Sequence, residues 1–204
     1  MPVRLVNKIP ETNFEFHEEL TKSNWTLLKE PKNIVITILL SIPFMIFAPL
    51  ISIALINMIS GISFKEFGLT TNGITITVQA SMVAWLILLV VVHEFIHLLF
   101  IPNFIKSKKT YVGFTWVGAF VITEEKISKT RYIIISIAPF VIISVILPLF
   151  LGAFGLLTTT FKVVILLNSM SSSLDLLGLL FITTQVPKKA ILQNNGVSTY
   201  WKCL

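Results

Sequence analysis

Four apolar stretches dominate the sequence, and each is long enough to cross the hydrocarbon core of a bilayer, which takes about 20 mostly apolar residues in a helix. They run from about 33 to 59, 74 to 101, 132 to 154 and 161 to 184. Runs of this length exceed what a soluble core helix needs. The composition agrees: 54% of residues are hydrophobic, only 13% are charged, and the mean hydropathy is +0.86. The expectation is an all-α polytopic membrane protein with four transmembrane helices. Pro43 and Pro49 in the first run are expected to be accommodated by neighbouring helices as kinks, and Pro139 and Pro148 lie in the third.

The net charge of +6 does not point to nucleic acid, because the basic residues sit between the apolar runs. Five Lys or Arg precede the first run. Lys106, Lys108, Lys109, Lys126, Lys129 and Arg131 follow the second, and Lys188, Lys189 and Lys202 follow the fourth. The other two connections hold little beyond Lys65 and, at a span margin, Lys162. Lys and Arg accumulate on the cytoplasmic side of membrane proteins. Residues 1–32, the 102–131 connection and the 185–204 tail are therefore expected in the cytoplasm, flanking a membrane domain over 33–184 of a cell-membrane protein. Residues 1–32 are polar and contain no apolar stretch ending in a small-residue cleavage site. Cys203 is the only cysteine, which excludes an intramolecular disulfide.

One connection carries its own pattern. Residues 109–125 are rich in β-branched and aromatic side chains with Gly118 near the middle, which predicts a small β-hairpin between helices 2 and 3. Its edge either pairs with a stretched peptide, or the hairpin simply lies on the membrane surface.

Ionisable side chains inside spans are costly and mark function. Here they are few: His93, Glu94 and His97 in the second run and Asp175, the sole aspartate, in the fourth. Residues four apart share a helix face, so His93 and His97 can present two imidazoles to one ion. Glu94 lies beside that face, placed to act as general base on a water held by zinc. A catalytic zinc takes three protein ligands, and Asp175 is the expected third. Measured at 1.5 Å per residue from the expected cytoplasmic ends of their spans, His93 and Asp175 both lie at a depth of about 14 Å. Glu124 and Glu125 are the rivals, set in a solvated basic segment. Asn168, two turns before Asp175, is a candidate substrate-binding residue or a helix-packing one. The serines between them read as packing surface.

These residues resemble the site-2 class of intramembrane zinc metalloproteases in three places. They are His93-Glu94-Phe95-Ile96-His97, the proline-bearing Ile135-Ser136-Ile137-Ala138-Pro139, and the segment from Asn168 to Asp175. The chain departs from that class in having no proline between Asn168 and Asp175 and no glycine after Asp175. It is closer to a bacterial family described as "putative zincin peptidase", with four spans and the same pentapeptide followed by a basic loop. The resemblance implies a zinc peptidase acting on a peptide or protein in or near the bilayer. Two other readings stand beside it: a zinc-binding membrane sensor or scaffold without turnover, and a transporter, against which no polar path crosses the spans.

Overall fold

A computed structural model describes residues 3–70, 73–74, 80–115 and 118–203. The chain opens with strand β1 (Arg4–Val6), helix α1 (Phe14–Lys22) and strand β2 (Thr26–Leu27). Asn13 caps α1 by accepting from the Phe16 N–H, and Asn33 caps the long helix α2 (Ile34–Ser60) by accepting from Val35. α2 continues through both of its prolines. A 3-10 turn (Phe64–Phe67) and two short strands, β3 (Leu69–Thr70) and β4 (Gly73–Ile74), lead to α3 (Ala80–Phe100). Residues 75–79, where the second apolar run was expected to start, lie outside the described residues.

Strands β5 (Thr110–Thr115) and β6 (Gly118–Thr123) pair antiparallel, and β7 (Ile127–Ser128) follows. The third crossing is composite: α4 (Lys129–Pro139), a π-helical stretch over Phe140–Ile146, and α5 (Leu147–Ala153). The fourth is broken at Ser172 into α6 (Thr159–Ser171) and α7 (Ser173–Gln185). There Ser171 and Ser172 turn their hydroxyls back onto the Asn168 carbonyl at 3.0 and 2.9 Å, a pattern that bends helices. Strands β8 (Ala190–Asn195) and β9 (Ser198–Cys203) complete the described chain. Four helical stretches are long and apolar enough to cross a membrane: Ile34–Ser60, Ser81–Phe100, Lys129–Ala153 and Thr159–Gln185. They mark the chain as a membrane protein.

The all-α expectation, with one small hairpin as the sole β element, is overturned. β1 joins the hairpin as a parallel partner of β5, giving a three-stranded sheet in the order β1-β5-β6. A second sheet runs β2-β9-β8-β7, all antiparallel, and β3 pairs with β4. Segments near both ends of the described chain, β1 and β2 at one and β8 and β9 at the other, are built into these sheets. The physical reason is that the segments outside the spans carry apolar side chains of their own. Leu28, Ala190 and Leu192 pack with Ile182 and Val186 into a buried cluster at the end of α7, covered by Tyr132 and Trp201. Gly196, at φ +58°, opens the two-residue turn joining β8 to β9. A Cβ there would come within 2.6 Å of the Pro10 carbonyl oxygen, so the amino-terminal segment also lies against this turn.

The second sheet covers the end of the bundle where α3 and α7 finish and α4 begins. Arg131 Nε donates to the last carbonyl of α3, Phe100 O, at 2.7 Å. Lys129 Nζ donates to Thr183 O at 3.3 Å and to Val186 O. Cations at helix C-termini satisfy orphan carbonyls and complement the dipole. At the opposite end the buried Lys162 donates to Glu66 at 2.8 Å and to Gly61 O at 2.9 Å. This bond holds the Glu66 carboxyl below the usual carboxylate range. Between the ends, the bundle packs around Leu89, Ile96, Ala138, Ile143 and Val164.

Candidate metal centre

Every turn of α3 from Leu89 onward carries apolar side chains, so its polar residues are few and their placement is set by the helix period. His93 and His97 come to one face four residues apart, with ring centroids 5.0 Å apart. The fourth crossing brings Asp175, in the first turn of α7, against both. His93 Nε2 lies 3.2 Å from Asp175 Oδ2, and His97 Nε2 lies 3.3 Å from Asp175 Oδ1. One ligand atom from each of these residues falls within 4.8 Å of the others. The two histidines are 8% and 9% exposed, so the cluster is closed to bulk water on that side.

The far nitrogens of both rings are held by acceptors. His97 Nδ1 donates to Ile135 O at 2.8 Å. That carbonyl is available because its ordinary helical donor would be the N–H of residue 139, and Pro139 has none. His93 Nδ1 meets Asn168 Oδ1 at 2.9 Å. The assignment of the Asn168 amide is forced by its surroundings. Its Nδ2 donates to Pro139 O at 3.2 Å and to Ser144 Oγ at 2.9 Å, and Ser144 gives its own proton to Ile165 O at 3.2 Å. Asn168 Oδ1 is then an acceptor, and His93 Nδ1 is the donor. Ser144 stands in the π-helical stretch of the third crossing, a feature frequent at functional sites.

With the hydrogens of both neutral rings on Nδ1, each Nε2 turns a lone pair toward the oxygens of Asp175. Lone pairs facing a carboxylate at this range repel unless a cation or a proton lies between them. Zinc bonds of 2.0–2.2 Å in a tetrahedron put ligand atoms about 3.4 Å apart, close to the separations found here. The donor set therefore fits a zinc ion, with the outward nitrogens oriented in the usual way by partners one layer out.

Asp175 is thus brought to the two histidines, and Glu124 and Glu125 are not. Glu124 receives the Tyr111 hydroxyl and the Gly196 N–H, both at 3.4 Å, and Glu125 receives Ser107 Oγ at 2.8 Å. His17 sits apart, bonded to Tyr200 Oη at 2.6 Å. Asn168 is fully buried, and both ends of its amide are engaged by the protein.

Glu94 is half-buried beside the cluster. It faces a cavity of about 530 Å³ whose walls come from α3, β6, α4, α7 and β8. The backbone N–H of Val121 on β6 is directed at the Glu94 carboxylate. β6 is an edge strand. Because Glu124 N bonds inward to Lys109 O at 2.8 Å, the alternate residues Ala119, Val121 and Thr123 turn their main-chain groups to the open edge, along the cavity. Trp116 and Val117, between the two strands, lie outside the described residues.

The family model described as "Putative zincin peptidase" matches residues 86–191, which span the pentapeptide, the hairpin and Asp175. The chain belongs to this family. Zincins are zinc peptidases, so family and donor set agree on the metal. No curated protein and no solved structure matches the chain. Ser144 and the β8 residue Asn194, which lines the cavity, were not singled out in the sequence, and Ile135 entered only as part of its proline-bearing segment, without a role. For Ile135 a signal existed, since a proline inside a helix always frees the carbonyl four residues earlier.

Proposed function

We propose that this chain is an intramembrane zinc endopeptidase that cleaves a peptide bond in or near the bilayer, with His93, His97 and Asp175 as the zinc ligands and Glu94 as the general base. The observation that carries the reading is the convergence of two histidine Nε2 atoms on Asp175 beside a glutamate, at the wall of a cavity edged by a free strand. Zinc held there supplies Lewis acidity for the scissile carbonyl and makes water acidic enough to attack near neutral pH. Glu94 takes the proton from the attacking water and returns it to the leaving amine. The edge of β6 offers main-chain groups to an extended peptide, which a peptidase needs because helical amides are tied up in their own hydrogen bonds. Asn168 supports His93 on this reading, since its amide has no free bond to offer a substrate. The sheet-covered end, with both termini, faces the cytoplasm, in keeping with the Lys and Arg distribution.

The test compares membrane proteomes of cells carrying the parent chain or Glu94→Gln. New protein termini in or beside transmembrane segments, present with the parent and absent with Glu94→Gln, are expected. Zinc retained with no Glu94-dependent termini would replace this reading with a zinc-binding sensor or scaffold.

A further inference from the structure

The metal cavity has a wall that neither the zinc ligands nor β6 accounts for. Asn194, in β8, lines it. Among the described residues, Asn194 Oδ1 is the one buried side-chain nitrogen or oxygen with no hydrogen-bond partner in the protein. Buried groups of this kind are nearly always paired, so an orphan on a cavity wall calls for a ligand.

Behind Asn194 lies a polar cluster that ends on Glu30. Glu30 accepts from Thr199 twice, from the backbone N–H at 2.8 Å and from Oγ1 at 3.4 Å. Tyr132 lies between this pair and Asn194, with both Thr199 and Asn194 as side-chain neighbours of its hydroxyl. A carboxylate can only accept, so both Thr199 bonds run toward Glu30. Asn194 and Tyr132 share the cavity wall, and Asn194 Oδ1 is left unpaired. β8 also borders β6, where Gln193 Nε2 donates to Glu124 O at 3.0 Å. Asn194 therefore stands by the Thr123 end of the open edge.

We infer that Asn194 Oδ1 accepts a main-chain N–H of the peptide held in the zinc cavity, fixing the register of that peptide against β6. The inference rests on the peptidase reading above. A neutral amide oxygen suits an amide N–H, which needs no counter-charge. Asn194 is a positioning residue: it acts on binding, not on the bond being cut.

The experiment uses the full, zinc-loaded chain in lipid nanodiscs. A quenched-fluorescent peptide library first identifies a peptide cleaved by the parent and not by Glu94→Gln. Fluorescein-labelled copies of that peptide, and analogues in which one backbone N–H at a time is replaced by an ester oxygen, are then titrated by anisotropy. The proteins are Glu94→Gln and Glu94→Gln/Asn194→Ala. The expected result is that Asn194→Ala weakens the parent peptide by about tenfold, the scale of one hydrogen bond. One ester analogue should show the same loss with Asn194 present and none with Asn194→Ala. Equal affinity of both proteins for every peptide overturns the inference, as does a loss that no single ester reproduces, which marks a purely structural role. If Asn194→Ala does not fold, Asn194→Ser carries the same comparison. Absence of any Glu94-dependent cleavage in the library overturns the peptidase reading and this inference with it.

Discussion

Glu94 lies one position from His93, yet the proposed mechanism gives the two side chains different work, and substitution should separate them. Glu94→Gln is expected to keep its zinc and lose peptide cleavage by about 10²- to 10⁴-fold, the usual worth of a positioned base. Metal analysis of the purified protein, with cleavage assayed in parallel, checks both halves; loss of zinc would make Glu94 a ligand. Asp175→Ala should lose zinc, whereas a Glu124→Ala and Glu125→Ala double variant should retain it, because those carboxylates are engaged by Tyr111, Gly196 and Ser107. Zinc content in the reverse order would move the third ligand to the loop. Asn168→Ala should lower zinc affinity by about 10- to 100-fold, the cost of losing a partner that orients a ligand. An unchanged affinity in chelator competition would return Asn168 to other roles. At this scale the sequence was informative wherever chemistry follows from spacing: a four-residue interval sets His93 against His97, and matched depths pair them with Asp175. The position of Asn168 was equally legible, but its partners Pro139 and Ser144 come from another crossing, so its role was not.

Among the elements, the third crossing does the most to shape the site. Pro139 ends α4, frees Ile135 O for His97 and precedes the π-helical turn that presents Ser144 to Asn168. Pro139→Ala supplies an N–H that competes with His97 for Ile135 O. Zinc affinity should then fall by about tenfold while the helix itself gains stability. Chelator competition and thermal unfolding, measured together, test this; tighter zinc would show that the proline has no part in holding His97. The apolar length of each run made the four crossings legible, and β-branched residues about Gly118 did the same for the hairpin. The strands at the two ends were missed. β1 and β2 are two or three residues long, too short for periodicity to register, and exist because β5 and β9 offer them edges. β8 and β9 carried a readable turn at Gly196, but their buried side chains pack on α7, a contact no local pattern reveals.

For the molecule as a whole, the sheet β2-β9-β8-β7 ties the start of the chain to its end on one side of the bundle. An alkaline phosphatase fused after Leu204 should stay inactive and a cytoplasmic reporter there should be active, since the basic segments lie on this side. Phosphatase activity outside the cell would invert the orientation. Deleting 187–204 removes β8, β9 and with them Asn194 and the cover over Val186. The truncated chain should insert but bind zinc weakly and cleave nothing, and full activity would show the tail to be dispensable. The same closure orders events in time. His93 leaves the ribosome 82 residues ahead of Asp175, which at 5–20 residues per second is a delay of roughly ten seconds, and β9 emerges later still. Through that interval the nascent chain holds His93, Glu94 and His97 with neither Asp175 nor the β8 residue Asn194 that lines the cavity. On the proposed function, the order of translation holds off hydrolysis of neighbouring nascent proteins until Asp175 and β8 are in place.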